Sequence, residues 1–101
     1  MDRFQRDDPK SGQSVQVTLY DPIAMEHRLD DYREASLHFE DGRQYLTAFW
    51  RDPRERGQHW IEEPGMVIVH DISNEWILTA VDDILARGTV AAAFEAITVG
   101  G

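Results

Sequence analysis

The chain of 101 residues contains no cysteine. That one absence removes disulfides, thiolate zinc sites, iron–sulfur clusters and cysteine nucleophiles together. Positive charge is also scarce: ten Lys and Arg face nineteen Asp and Glu, for a formal net charge of −9. Nucleic-acid binders need a basic footprint that releases counterions from phosphates, and an anionic lipid surface repels so acidic a domain. Neither nucleic acid nor membrane is therefore expected as a partner. No apolar run approaches the ~18–20 residues of a membrane span. Met1 to Lys10 lacks the apolar stretch of a secretory signal, so the expected compartment is the cytoplasm. P-loop, dinucleotide, G-x-S-x-G, S-x-x-K, H-E-x-x-H and calcium-loop patterns are all missing. No catalytic residue, metal or cofactor is assigned on sequence grounds.

What is present is a globular composition, 42% hydrophobic, which is enough for one modest core and too short a chain for two domains. Nine of the ten basic residues are Arg and only Lys10 is Lys, a bias that fits a GC-rich bacterial genome. Residues 1–13 are polar and read as a flexible N-terminal arm. Val15, Val17 and Leu19 alternate with polar residues, the mark of a half-buried strand. Asp21-Pro22 stops it, and Ile23 to His27 is expected to form a short helical turn.

Ala35, Leu37 and Phe39 alternate again, and Asp41-Gly42 then separates them from a second run, Arg43 to Arg51. Asp-Gly between two such runs predicts a hairpin with a two-residue type I′ turn. That register sets Glu40 against Arg43, His38 against Tyr45 and Leu37 against Leu46. It places Leu46, Ala48 and Trp50 on the core face and Tyr45 and Phe49 on the solvent face. Residues 51–64 read as a loop broken by two prolines and a glycine, with a short extended piece around His59-Trp60-Ile61. Gly65 to His70 reads as a buried strand. Ser73 is placed to cap a helix with Glu75 in its first turn, and Gly88 to end it. Trp76, Ile77, Ala80, Val81, Ile84 and Leu85 form one face of that helix. A second short helix is expected after Thr89, through Val90, Phe94 and Ile97, with residues 98–101 frayed.

The order of elements predicts an α+β fold: one domain over 14–97, an antiparallel sheet of about four strands with one main C-terminal helix packed on one face. The stretch Phe39-Glu40-Asp41-Gly42-Arg43-Gln44-Tyr45, the aromatic second strand, Met66-Val67-Ile68-Val69 and the Ser73 helix resemble a family of small bacterial proteins. The likeness covers roughly residues 36–88. It implies this fold and, by analogy at the level of fold, an immunity or accessory role. It implies no catalytic residue.

Three arrangements carry the candidate chemistry. Tyr45 and Phe49 put aromatic surface where solvent is expected, which suits a protein partner or a second copy of the chain. Arg51, Arg54 and Arg56 beside Trp60 form a basic loop able to hold a carboxylate, or to pair with Glu55, Glu62 and Glu63 of its own loop. A pocket near His38, Tyr45 and His59 is the alternative, for a small metal- or metabolite-binding protein or an enzyme. His38 and Glu40 share a strand face at i, i+2; His27 and His70 have no ligand-spaced companion. The leading expectation is a non-enzymatic, acidic protein-interaction module, with a self-assembling accessory subunit, a homodimer for instance, as a further reading.

Overall fold

The computed structural model describes residues 1–21, 23–24, 31–52 and 59–97, with side chains for 1–21, 32–52 and 62–97. Among these residues eight strands form one sheet, β1 (Asp2–Asp7), β2 (Ser14–Leu19), β3 (Ile23–Ala24), β4 (Asp31–Phe39), β5 (Gln44–Arg51), β6 (His59–Glu63), β7 (Met66–Val69) and β8 (Glu95–Ala96). The main path runs β1-β2-β4-β5-β7-β6, with β3 paired to β4 and β8 to β5. One long helix, α1 (Asn74–Arg87), and a single turn, α2 (Val90–Ala93), complete the chain.

The α+β class and the single main helix hold; the sheet is larger than four strands and is not purely antiparallel. β5 and β7 are parallel, with Phe49 beside Val67 and Arg51 beside Val69. The chain leaves β5 and re-enters the sheet at its edge as β6, then turns back through Pro64-Gly65 so that β7 fills the gap. Gly65 has φ +89°, which the second central residue of such a turn requires. The segment read as an arm supplies β1, paired along its whole length with β2. Its only apolar inward residue is Phe4, opposite Val17, so no hydrophobic alternation announces it. Charges on an edge strand also block pairing with other chains. Ile23 and Ala24 are strand rather than helical turn; residues 25–27 lie outside the described set.

The hairpin between β4 and β5 has a three-residue loop. The Phe39 carbonyl accepts from the Gly42 N–H at 3.0 Å, and the Phe39 N–H donates to the Arg43 carbonyl at 2.9 Å. Gly42 has φ +93°, while no non-glycine residue has positive φ. A type I′ turn needs positive φ at both central residues, so Asp41 excludes it. The pairing becomes Leu37 with Tyr45 and His38 with Gln44, one residue from the expected register. Because side chains alternate, that single step turns every β5 residue to the other face. Phe49 and Thr47 are buried in the core, and Leu46, Ala48 and Trp50 lie on the opposite face, half-buried.

The core lies between the sheet and α1. Val15, Val17, Leu19, Ala35, Leu37, Phe49, Val67 and Val69 from the sheet meet Ile77, Ala80, Val81, Ile84 and Leu85 from the helix. α1 forms as its ends dictate: Ser73 Oγ accepts from the Trp76 N–H at 3.5 Å, and Gly88, at φ +69°, donates to the Ile84 and Leu85 carbonyls. Arg6 on β1 pairs with Asp82 on α1 at 3.3 Å, closing the side of the layer. α2 stops after one turn. The Thr47 hydroxyl, at 2.7 Å, and the Gly65 N–H, at 3.2 Å, both donate to the Ala93 carbonyl. Phe94 is then extended and packs edge-on to Phe49, with ring centroids 6.2 Å apart. Ile97, expected on the second helix, is exposed beyond β8.

Candidate functional site

Among the described residues the helices lie on one face of the sheet, which leaves the other face as the candidate surface. Register builds it row by row. Tyr32, Trp50 and Ile68 lie side by side on β4, β5 and β7. The next row along is Glu34, Ala48, Met66 and Glu63 on β4, β5, β7 and β6. Arg3, Thr18, Ser36 and Leu46 follow on β1, β2, β4 and β5, and then Gln5, Gln16, His38 and Gln44 on the same four strands. The face is thus graded, apolar and aromatic at one end and amide-rich at the other.

At the apolar end Tyr32 and Trp50 stack with ring centroids 4.6 Å apart at 24°. Such an offset pair fixes both rings in place. Leu46, Ala48, Met66 and Ile68 extend the surface, all half-buried, and the carboxylates of Glu34 and Glu63 lie in its second row. In the middle the small residues Thr18 and Ser36 are buried, and Tyr20 Oη lies 3.4 Å from Ser36 Oγ. At the polar end Arg3, Gln5, Ser14, Gln16, His38 and Glu40, with Phe4 and Phe39, line an open depression of about 620 Å³.

Of the residues expected to form a binding surface, the side chains of Tyr45, Phe49 and Arg51 are described. Tyr45 is half-buried on the core face, edge-on to Phe39 with centroids 5.6 Å apart. Phe49 is fully buried and cannot contact a partner. Arg51 lies across from Val69, on the same face of the sheet as Phe49. Arg54 and Arg56 fall outside the described residues, and for Trp60 only the β6 backbone is described. The pocket expected near His38, Tyr45 and His59 does not form as drawn, because His38 and Tyr45 project from opposite faces. His27 lies outside the described residues, and His59 is described only as the first backbone position of β6. His70 is half-buried, its ring 5.1 Å from that of Trp76.

Glu40 does not pair with Arg43. It accepts from the Ser14 N–H at 2.7 Å, while Arg43 Nε reaches Asp41 at 2.8 Å and its guanidinium lies over the Phe39 ring at 4.6 Å. Arg43 is held above its ordinary pKa, chiefly by the bond to Asp41. Among the described residues no cluster of three or more His, Asp and Glu side chains is placed to hold a metal ion. A smaller cavity of about 260 Å³ lies between the β1–β2 turn and the end of α1, with Tyr45, Leu85 and Val90 in its wall. That is below the size of most ligand sites, about 300–1,000 Å³.

The row structure of the outer face was hidden from the sequence. Gln5, Gln16, His38 and Gln44 are scattered over forty positions, and only strand order and register align them. Trp50, Leu46 and Ala48 are apolar in the sequence, yet the register sets them on the face opposite the core. The fold is that of a small α+β domain with a mixed sheet, open on one side among the described residues. No protein-family model, no curated protein and no solved structure matches the chain. Among the described residues no helix is long and apolar enough to cross a membrane.

Proposed function

We propose that this is a cytoplasmic, non-enzymatic interaction module that binds a basic protein through the apolar end of its helix-free sheet face. The observation that supports this reading is the Tyr32–Trp50 stack standing beside Ile68 and Met66, with no helix over it among the described residues. Aromatic anchors of this kind are enriched at the centres of protein interfaces. Charge argues for the occupant. The chain carries a net charge of −9, and Glu34 and Glu63 sit within the patch. An acidic field attracts and orients a cationic partner, whereas a second copy of the chain would bring the same negative charge to the interface.

The test compares the chain with its Trp50→Glu variant. Native mass is measured by light scattering, and each protein is used to retain partners from lysate of its own source organism. Retained proteins are then purified and titrated. Support is a monomer that binds a basic protein with an affinity weakened by salt and by Trp50→Glu. A dimer dissolved by Trp50→Glu would instead make the face a self-interface. Equal retention by both proteins would remove the face from consideration.

A further inference from the structure

We propose that the polar end of the same face is a binding groove for a neutral, hydroxyl-rich ligand, the edge of a sugar. Three adjacent strands build it. β1 contributes Arg3 and Gln5, β2 contributes Ser14 and Gln16, and β4 contributes His38 and Glu40. Gln5, Gln16 and His38 stand in one row. Neighbouring strands are about 4.8 Å apart, so the row spans roughly 10 Å, the reach of one or two sugar rings. The volume of about 620 Å³ falls within the range of small-molecule sites.

The bonding state of these groups is the second observation. In a chain with an excess of carboxylates, Arg6, Arg33, Arg43 and Arg87 all hold an acidic partner. Arg3 holds none among the described residues, and the side chains of Gln16 and His38 make no hydrogen bond there either. Gln5 donates to Ser14 Oγ, which leaves its own carbonyl oxygen and the serine proton for a ligand. Glu40 uses one oxygen on the Ser14 N–H and keeps the other.

The groove therefore presents both donors and acceptors. An ionised carboxylate only accepts, so it would face the Glu40 carboxylate and the glutamine carbonyls without a proton to offer, and a phosphate would bring its negative charge against that same carboxylate. The net negative charge of the chain opposes it further. A hydroxyl both donates and accepts, and vicinal hydroxyls match the two-pronged ends of amide, guanidinium and carboxylate groups. A neutral polyol satisfies the whole set.

The experiment titrates the full-length, isotope-labelled chain, followed by NMR, with cellohexaose, chitohexaose and maltohexaose, and separately with inorganic phosphate. The expected result is a saturable shift of the Gln5, Gln16 and His38 resonances with at least one oligosaccharide and none with phosphate. Gln16→Ala and His38→Ala should each weaken it by about tenfold, the loss of one or two hydrogen bonds. Both side chains are exposed, so the melting temperature should not move. Trp50→Glu should leave the titration unchanged, which separates this groove from the protein interface. Absence of saturable shifts with all three oligosaccharides would overturn the proposal. So would a phosphate response at the same resonances, or oligosaccharide binding that both alanine variants retain in full.

Discussion

The Arg33 guanidinium donates to Asn74 Oδ1 at 2.6 Å, tying the middle of the sheet to the first turn of α1. The same side chain donates to the Tyr20 carbonyl at 2.5 Å and the Ile72 carbonyl at 3.3 Å, and pairs with Asp2 at 3.4 Å. Arg33 is 6% exposed, so these acceptors have little water to fall back on. Arg33→Met should cost about 2–3 kcal/mol in chemical denaturation, because it strands buried acceptors. Lys should rescue poorly, since a single ammonium cannot reach in three directions. Asp2→Ala, which removes only the half-exposed partner, should cost less than about 1 kcal/mol. Equal losses for Arg33→Met and Asp2→Ala would show that the network is not what holds the helix start.

Phe49 and Trp50 are neighbours with opposite fates. Phe49 is fully buried against Phe94, and Trp50 stacks on Tyr32 on the helix-free face. Phe49→Ala should cost about 3–5 kcal/mol, the usual range for emptying an aromatic core position. Phe49→Glu should abolish the cooperative melt, since it buries an unpaired charge. Trp50→Glu should leave a folded domain. A two-residue hairpin turn would reverse this order, so circular-dichroism melts of the two Glu variants decide the register.

The helix and two of the strands were legible because each has a single apolar face. Val15, Val17 and Leu19 alternate with polar residues, and Ile77, Ala80, Val81 and Ile84 lie between a Ser73 cap and a Gly88 stop. β5 has no such contrast. Tyr45, Leu46, Ala48, Phe49 and Trp50 offer apolar surface on both sides, so composition cannot say which side is inward. The turn decides, and Asp-Gly fits either a two-residue loop or a three-residue loop ending in glycine. β1 was missed for the converse reason. Its inward residues Asp2 and Arg6 meet Arg33 and Asp82 rather than the apolar core, so their placement depends on partners remote in sequence.

Gly42 carries the turn. Its φ of +93° is a conformation that side chains disfavour, yet a Cβ there would meet nothing within 4 Å. Gly42→Ala isolates the backbone cost, expected at about 1–2 kcal/mol. Gly42→Asn should cost less, because asparagine tolerates positive φ better than alanine does. If both variants melt with the wild type, the loop has moved to another turn and the register no longer depends on glycine.

The same turn gives the domain part of its acid sensitivity. The Asp41 carboxylate accepts from the Arg43 N–H at 3.0 Å, the Gln13 amide at 3.1 Å and Arg43 Nε at 2.8 Å. These bonds, the Arg43 N–H foremost, hold its pKa below the ordinary 3.8. A carboxyl depressed in the folded state binds fewer protons there than in the unfolded chain. It stabilises the fold above pH 3.8, and that stabilisation is lost as the pH falls through the lower folded value. Melting temperature followed from about pH 6 to about pH 3 should therefore fall less steeply in Asp41→Asn than in the wild type. The Asn oxygen still accepts from the Arg43 N–H, so the hairpin remains closed while the titrating charge is gone. Because Asp41 is exposed to solvent, the difference between the curves should be modest and should shrink further in high salt. Parallel curves would mean that the turn contributes nothing to acid unfolding and that carboxylates elsewhere carry it all.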